Sequence, residues 1–271
     1  MMPFRPFCLF VTIECLLFEV SFASQATGAF QTFFNFQPKQ RANAPRIIQL
    51  EDKLIETINS NEARLGNSNG INSIVEELEQ SGYGITQPAI SKEVKGRWRL
   101  LHTNNADTAS PIQRKAVDAT KYNIYQDILV RDTEGDSSGR LIVSQVVKFG
   151  DSAQLCVDAL ASTAEYPLEE LTERKGTGKI LGLNILGVSK VGEEALEDTE
   201  RPGSRIDFVF DEGNFDFNGF KIPYPVPFRL PIFRDAVKGW IDITYLSDRI
   251  RISRGNKGTT FVLMKEEESN E

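Results

Sequence analysis

Tyr122-Asn123-Ile124-Tyr125-Gln126-Asp127-Ile128-Leu129-Val130, then the polar run Asp132–Gly139, then Leu141-Ile142-Val143-Ser144-Gln145-Val146-Val147-Lys148-Phe149: this stretch decides the fold class. Tyr122, Ile124, Ile128 and Val130 fall on one side of a two-residue repeat, the spacing of a strand with one buried face. The Asp, Ser and Gly residues between the two apolar segments suit a turn better than a strand. The whole therefore reads as an antiparallel hairpin.

Working outward, the same period recurs. Upstream, Trp98, Leu100 and His102 share one face of a first strand; downstream come Gln154–Tyr166, Lys179–Val191, Arg205–Asp211, Phe215–Phe220, Trp240–Leu246, Arg249–Ser253 and Thr259–Lys265. Roughly eight to ten strands, with no helical segment long enough for a crossover, predict a mainly β domain over 94–265, a meander closed into an antiparallel β-barrel. Closure removes the unpaired edges that an open sheet would expose.

Ahead of this domain the period changes. Ile47, Leu50, Leu54, Ile55 and Ile58 repeat at three- and four-residue steps, Asn67-Ser68-Asn69-Gly70 interrupts, and Ile71, Ile74, Val75 and Leu78 form a second stripe ending near Gly82. A short N-terminal helical pair is expected within 46–88. Ile85–Ser91, with Pro88, reads as a connecting loop, and 266–271 as a solvated acidic tail.

Residues 1–29 carry Arg5, the apolar run Phe7–Phe22 and then small residues up to Ala29, the layout of a secretory signal. Glu14 and Glu19 break the run, which argues against a membrane-spanning helix of about 20 apolar residues. Segment 30–45 holds Lys39 and Arg41 and no acid, which is transit-peptide chemistry. A signal joined at Ala29-Phe30 to a basic, acid-free stretch resembles the bipartite presequence of algae with complex plastids; simple secretion is the alternative.

The 271 residues are 40% hydrophobic and 25% charged, with net charge −7 and a pI of about 5.1. With no Lys/Arg cluster downstream of the leader, a nucleic-acid partner is not expected, and lipid contact should rest on apolar side chains rather than on a basic face. Cys156 is alone outside the leader and His102 is the single histidine, so neither a disulfide nor a multi-histidine zinc site is expected.

No catalytic constellation, metal site or cofactor is predicted. His102 ends an apolar strand and reads as structural. Gly176-Thr177-Gly178 and Gly182 lack the strand-before, helix-after context of a phosphate cradle and read as bends. Asp132, Glu134 and Asp136 lack calcium-loop spacing and read as a solvated turn.

The apolar features say more. Phe208 and Phe210 share a strand face, Phe215, Phe217 and Phe220 follow, and Ile222-Pro223-Tyr224-Pro225-Val226-Pro227-Phe228-Arg229-Leu230-Pro231 is stiffened by its prolines into an extended loop. That loop reads as a lid or lipid-contacting rim over one mouth of the barrel, against the plainer reading of a packed connector. Gly96-Arg97-Trp98 in the first strand, with Arg249, Arg251 and Arg254 near the last, matches a device that closes one end of a small barrel by stacking a guanidinium on an indole. Which arginine stacks is open.

These pieces resemble a family, the plastid lipid-associated proteins or plastid fibrillins. The resemblance rests on Val75-Glu76-Glu77-Leu78-Glu79, Gly96-Arg97-Trp98-Arg99-Leu100-Leu101-His102-Thr103, Ser110-Pro111-Ile112-Gln113-Arg114, Tyr125-Gln126, Ile222–Leu230, Gly239-Trp240-Ile241-Asp242-Ile243-Thr244-Tyr245-Leu246 and Arg251-Ile252-Ser253-Arg254-Gly255-Asn256-Lys257-Gly258-Thr259-Thr260-Phe261-Val262-Leu263. His102 departs from the tyrosine usual in the family, and Ser247 from a common acidic residue. The resemblance implies a lipocalin-like barrel and a non-catalytic plastid protein, at thylakoids or plastoglobules, that carries or contacts hydrophobic small molecules such as prenyl lipids, carotenoids or fatty acids. The alternative is a self-filled barrel acting as a docking scaffold, for example for an enzyme of prenyl-quinone synthesis. Chosen by face and chemistry, the expected ligand contacts are Trp98, Phe208, Phe210, Tyr224, Phe228 and Trp240, with Arg251 or Asp242 as a polar handle.

Overall fold

The computed structural model describes residues 44–60, 69–104, 119, 121–133, 136–167, 172–174, 179–180, 183–184, 189–191, 202–223, 238–255 and 258–266. The signal-like leader, nearly all of the transit-like segment, Ser110–Arg114, Gly176-Thr177-Gly178, Gly182 and most of the acidic tail lie outside these residues.

The two apolar stripes form helices α1 (Ala44–Ser60) and α2 (Asn69–Gln80). Gly82, at a φ of 66°, follows the second as the left-handed residue that lets the chain leave the helix. The connecting loop contains single 3-10 turns at Pro88–Ile90 and Lys92–Val94. The strands are β1 (Gly96–Thr103), β2 (Asn123–Thr133), β3 (Asp136–Lys148), β4 (Ala153–Ser162), β5 (Thr172–Arg174), β6 (Lys179–Ile180), β7 (Leu183–Asn184), β8 (Ser189–Val191), β9 (Arg205–Phe217), β10 (Phe220–Pro223), β11 (Lys238–Leu246), β12 (Ile250–Gly255) and β13 (Thr260–Lys265).

Among the described residues nine strands make one antiparallel sheet in the order β10-β9-β11-β12-β13-β1-β2-β3-β4, and a further pairing of β4 with β9 closes it into a ring. The last strand pairs with the first, Leu263 opposite Leu100. The β2–β3 hairpin forms as expected, but its ladder runs on to Thr133 opposite Asp136, so the turn is shorter than Asp132–Gly139.

Two segments depart from the sequence reading. Lys179–Val191 is not one strand: Lys179 pairs with Asn184 and Thr172 with Val191, so the chain doubles back in two short nested ladders. Arg205–Asp211 and Phe215–Phe220 are not two strands, since β9 is continuous through Glu212-Gly213-Asn214. The reason is a bulge. Ala159 faces Phe210 while Asp158 faces Glu212, so Asp211 is the extra residue that shifts the alternation without ending the strand. The turn comes later, at Asn218 (φ 51°) and Gly219 (φ 90°), the left-handed pair favoured in two-residue hairpins.

Alternation sends side chains to two cores. Trp98, Leu100, Ile128, Leu141, Val143, Ala161, Ile206, Ile241, Ile243, Leu246 and Leu263 pack inside the ring, joined by Ala89 and Val94 from the 3-10 turns. Leu101, Tyr245, Ile250, Ile252 and Val262 face outward and pack against Ile47, Leu50, Leu54, Ile58, Ile71, Ile74, Val75 and Leu78 of α1 and α2. Bulges at Leu100/His102 and Ile243/Tyr245 make this division possible, because each shifts the register by one residue. His102 therefore stands opposite Val262, on the helix-covered side, rather than on the face of Trp98 and Leu100.

Polar contacts fix the helices on the sheet. The Tyr245 hydroxyl donates to Glu51 Oε1 at 2.8 Å, with Glu51 only 2% exposed. Arg249 donates to Asp52 at 2.7 Å, and Glu79 accepts from Arg254 Nη2 at 2.6 Å and from Thr244 at 2.6 Å. Burial, and then the bond to Glu51, push the Tyr245 phenol well above its ordinary range, so it remains a donor.

Inside the ring, Phe208 lies directly over Gly239 of the neighbouring strand: a Cβ at position 239 would meet Phe208 Cζ at 2.7 Å. Replacing Gly239 with Ala should force that ring aside and lower stability by about 1–3 kcal/mol. In a Phe208→Ala background most of this penalty should vanish, as a double-mutant cycle in urea would measure. Tyr245→Phe should cost about 1–3 kcal/mol by leaving buried Glu51 short of a donor. A urea midpoint equal to that of the parent chain would contradict the assigned latch.

Candidate functional site

The register gives the ring two different ends. At one end, the start of β1, the 3-10 turn at Lys92–Val94 lies against Trp98, whose indole N–H donates to the Val94 carbonyl at 2.8 Å. Trp98 is fully buried. The guanidinium of Arg251 lies 5.0 Å from its ring centroid and the ammonium of Lys265 5.2 Å, both in cation–π range. Lys265 Nζ also donates to the Glu93 carbonyl at 2.7 Å. The stacking arginine is thus Arg251. Alternation along β12 turns Arg254 outward to Glu79, and Arg249, before the strand, reaches Asp52.

Arg251 is 0% exposed and donates through Nη2 to Gln126 Oε1. Among the described residues no carboxylate pairs with it, and burial alone lowers its pKa to about 9, which still leaves it protonated at neutral pH. Its Nε and Nη1, and the buried Oγ of Ser253 two positions along the same strand, have no hydrogen-bond partner among the described residues.

Farther along the interior, Phe208 and Phe210 meet edge to face at 5.4 Å. At the opposite end of the ring the β3–β4 and β9–β10 turns lie side by side, Asn218 N–H donating to the Ser152 carbonyl at 3.2 Å. Here large apolar side chains are in water: Phe149 is 36% exposed, Phe217 43%, Phe220 68% and Ile222 43%. Phe217 stacks on Phe215 at 6.2 Å and Phe149 meets Tyr122 edge to face at 5.4 Å. Phe215, Phe217, Phe220 and Ile222 share a face through the pairs Phe220–Phe217 and Ile222–Phe215, so they form one patch. Lys148 pairs with Asn123 in the adjacent hairpin, and Lys221 lies exposed between Phe220 and Ile222.

Of the sequence-chosen contacts, the structure brings Trp98 and Arg251 together at the closed end and places Phe208 and Phe210 in the interior. Trp240 and Asp242 are on the outer face instead. Arg205 forks onto Asp242 with two bonds of 2.8 Å and lies 4.1 Å from the Trp240 ring centroid, so that carboxylate is occupied. Their position follows from the pairs Trp240–Asp207 and Asp242–Arg205, which alternate with the inward Ile241–Ile206. Tyr224 and Phe228 lie outside the described residues. The exposed rim was not among the chosen contacts; its sequence signal was the Asn218-Gly219 turn between Phe217 and Phe220.

A polar cleft of about 110 Å³ between α2 and the β12–β13 region is lined by Asn72, Val75, Glu76, Asn104, Arg254 and Thr260, a size suited to a few waters. Among the described residues no three His, Cys, Asp or Glu side chains converge to hold a metal ion, and no helix is long and apolar enough to cross a membrane.

The PAP_fibrillin family model matches residues 48–162 and 203–264. The chain is 38% identical over 203 residues to "Probable plastid-lipid-associated protein 12, chloroplastic" of Arabidopsis thaliana, covering 73% of this chain and 39% of that protein. It is 48% identical over 40 residues to "Light-induced protein, chloroplastic" of Solanum tuberosum, covering 15% of this chain and 12% of that one. The chain therefore spans well under half the length of these curated relatives. No solved structure matches it. The family match takes in both helices and every strand that closes the ring, and on that ground the chain belongs to the PAP_fibrillin family.

Proposed function

We propose that this protein is a non-catalytic lipid-associated protein of plastids, a lipocalin-like barrel that contacts prenyl lipids, carotenoids or fatty acids at a thylakoid or plastoglobule surface. The observation that carries this reading is the aromatic rim. Phe149, Phe217, Phe220 and Ile222 stand exposed around one end of a ring whose other end is plugged by Trp98, Arg251 and Val94. Fully burying a side chain of this size contributes about 1.5–3 kcal/mol, so a few acting together can hold a protein at a lipid surface. The chain's acidic balance makes this apolar contact more important, because the average charge opposes an anionic surface. Its relatives' chloroplast assignment and the resemblance of residues 1–45 to a bipartite presequence support a plastid location, reached in an alga through the endoplasmic reticulum.

A docking scaffold is the second reading. It is favoured by one observation: Trp98, Ile128, Ile206, Ile243 and Leu246 fill the interior at less than 2% exposure each. Lipid extraction and mass spectrometry of the purified protein separate the two, a stoichiometric lipid supporting the carrier and its absence the scaffold. For the rim, Phe217→Ser with Phe220→Ser should reduce flotation with galactolipid vesicles at least tenfold while the unfolding free energy from urea denaturation stays within about 0.5 kcal/mol of the parent, as for exposed sites. Flotation equal to that of the parent chain would remove the rim from the contact surface.

A further inference from the structure

Between β4 and β9 the chain leaves the ring and doubles back on itself. The pairs Thr172–Val191, Glu173–Lys190 and Arg174–Ser189 form one ladder, and Lys179–Asn184 with Ile180–Leu183 the other. Four residues separate Arg174 from Lys179 and four separate Asn184 from Ser189, so the ladders keep a single register, as the two ends of one antiparallel hairpin. Among the described residues its strands pair with one another and with none of those in the ring. The PAP_fibrillin match stops at residue 162 and resumes at 203, so the hairpin falls wholly in the gap and nothing the family shares gives it a role.

Charge is sorted along this insert. The approach, 163–173, carries Glu165, Glu169, Glu170 and Glu173 and no Lys or Arg; the return, 192–200, carries Glu193, Glu194, Glu197, Asp198 and Glu200 and again no cation. Between them 174–191 holds Arg174, Lys175, Lys179 and Lys190 and no acid. These cations are dispersed along the chain, which is why the linear sequence shows no cluster; the register brings Arg174 and Lys190 to neighbouring rungs and leaves Lys179 at the turn end. The same stretch supplies Ile180, Leu181, Leu183, Ile185, Leu186 and Val188, and no aromatic residue. Acidic chain thus enters and leaves at the base of the hairpin, while aliphatic residues and positive charge belong to the part that runs out to the turn.

We propose that this hairpin is a second membrane contact, one that selects anionic lipid: its aliphatic turn end enters the interface while Arg174, Lys175, Lys179 and Lys190 meet negatively charged headgroups. The assignment rests on the lipid reading above and adds a headgroup class to it, which the phenylalanine rim does not supply. The chain as a whole is acidic, so its average charge opposes such a surface, and an acid-free hairpin reverses that sign locally. A lipid surface fits the composition better than an acidic protein does. Protein-binding patches draw on Trp and Tyr anchors that fill shaped pockets, whereas aliphatic residues beside lysines suit a fluid layer with no fixed shape.

Flotation of the full chain with two kinds of vesicle tests this. Vesicles of digalactosyldiacylglycerol containing about a quarter phosphatidylglycerol should bind it about tenfold more tightly than vesicles of the galactolipid alone, and added salt should erase the difference. Lys175→Gln, Lys179→Gln and Lys190→Gln made together should abolish the preference and leave binding to the neutral vesicles as it was. In a Leu181→Trp variant, brominated phosphatidylglycerol should quench the new indole, with the parent chain as the baseline for Trp98 and Trp240. Equal binding to both vesicles, or a preference that survives the three substitutions, overturns the assignment. Flotation that persists on the neutral vesicles then leaves the lipid reading standing, and flotation on neither ends both. An indole at position 181 that is not quenched also overturns it, and displacement of the vesicles by polyglutamate would then point to an acidic protein as the partner. Should the triple variant not fold, the parent's preference and the quenching, both measured without it, still decide.

Discussion

The ring depends on one pairing between distant parts of the chain: β13 against β1. Without it both strands would present unpaired N–H and C=O groups along an edge, and the sheet would be a template for other chains rather than a closed unit. The pairing also positions what lies inside. It puts Leu263 beside Leu100 and, one strand farther, Arg251 within reach of Trp98, so the plug at the closed end exists only once the first and last strands have met. The second closure, β4 with β9, spans a shorter stretch of chain and is equally necessary to a continuous ring.

Closure leaves the outer surface of β11, β12, β13 and β1 apolar over part of its area, and the helices answer that need. Two one-residue bulges bring Leu101 and Tyr245 out of the interior sequence and onto the face that α1 and α2 cover. The arrangement has a polar frame, Glu51 with Tyr245 and Glu79 with Arg254, which sets the helices in one orientation where grease alone would permit several. The helical pair is therefore as much a part of the ring's wall as the strands beneath it.

How far the sequence could be read follows from what each feature depends on. The helices, the β2–β3 hairpin and the strands from Trp240 onward are written in local periodicity, and local periodicity survives folding. The bulges are not, because a one-residue slip has no signature in a single strand; it shows only against the partner's register. Hence His102 was grouped with Trp98 and Leu100 although it lies opposite Val262, and Glu212-Gly213-Asn214 read as a break where β9 runs straight through. The same limit governed the site. Trp98 with a late arginine was legible as a pair of residue types, but choosing Arg251 over its neighbours needed the face of β12. Trp240 and Asp242 lie on the outer side of the sheet, which alternation alone does not tell, and the side-by-side placement of the β3–β4 and β9–β10 turns is visible only in three dimensions.

One feature of β9 bears on how such a protein can diversify. Its edge is shared end to end: β10 pairs with Asn214–Phe217 and β11 with Arg205–Val209, both running antiparallel to it, while Phe210–Gly213 faces neither. The chain between β10 and β11 thus leaves and rejoins a single rigid strand a few residues apart. Lengthening or shortening that excursion alters loop entropy only logarithmically and disturbs no ladder. Evolution or engineering can exchange the whole insert, prolines and aromatics included, as a cassette while the closed end and its buried guanidinium stay as they are.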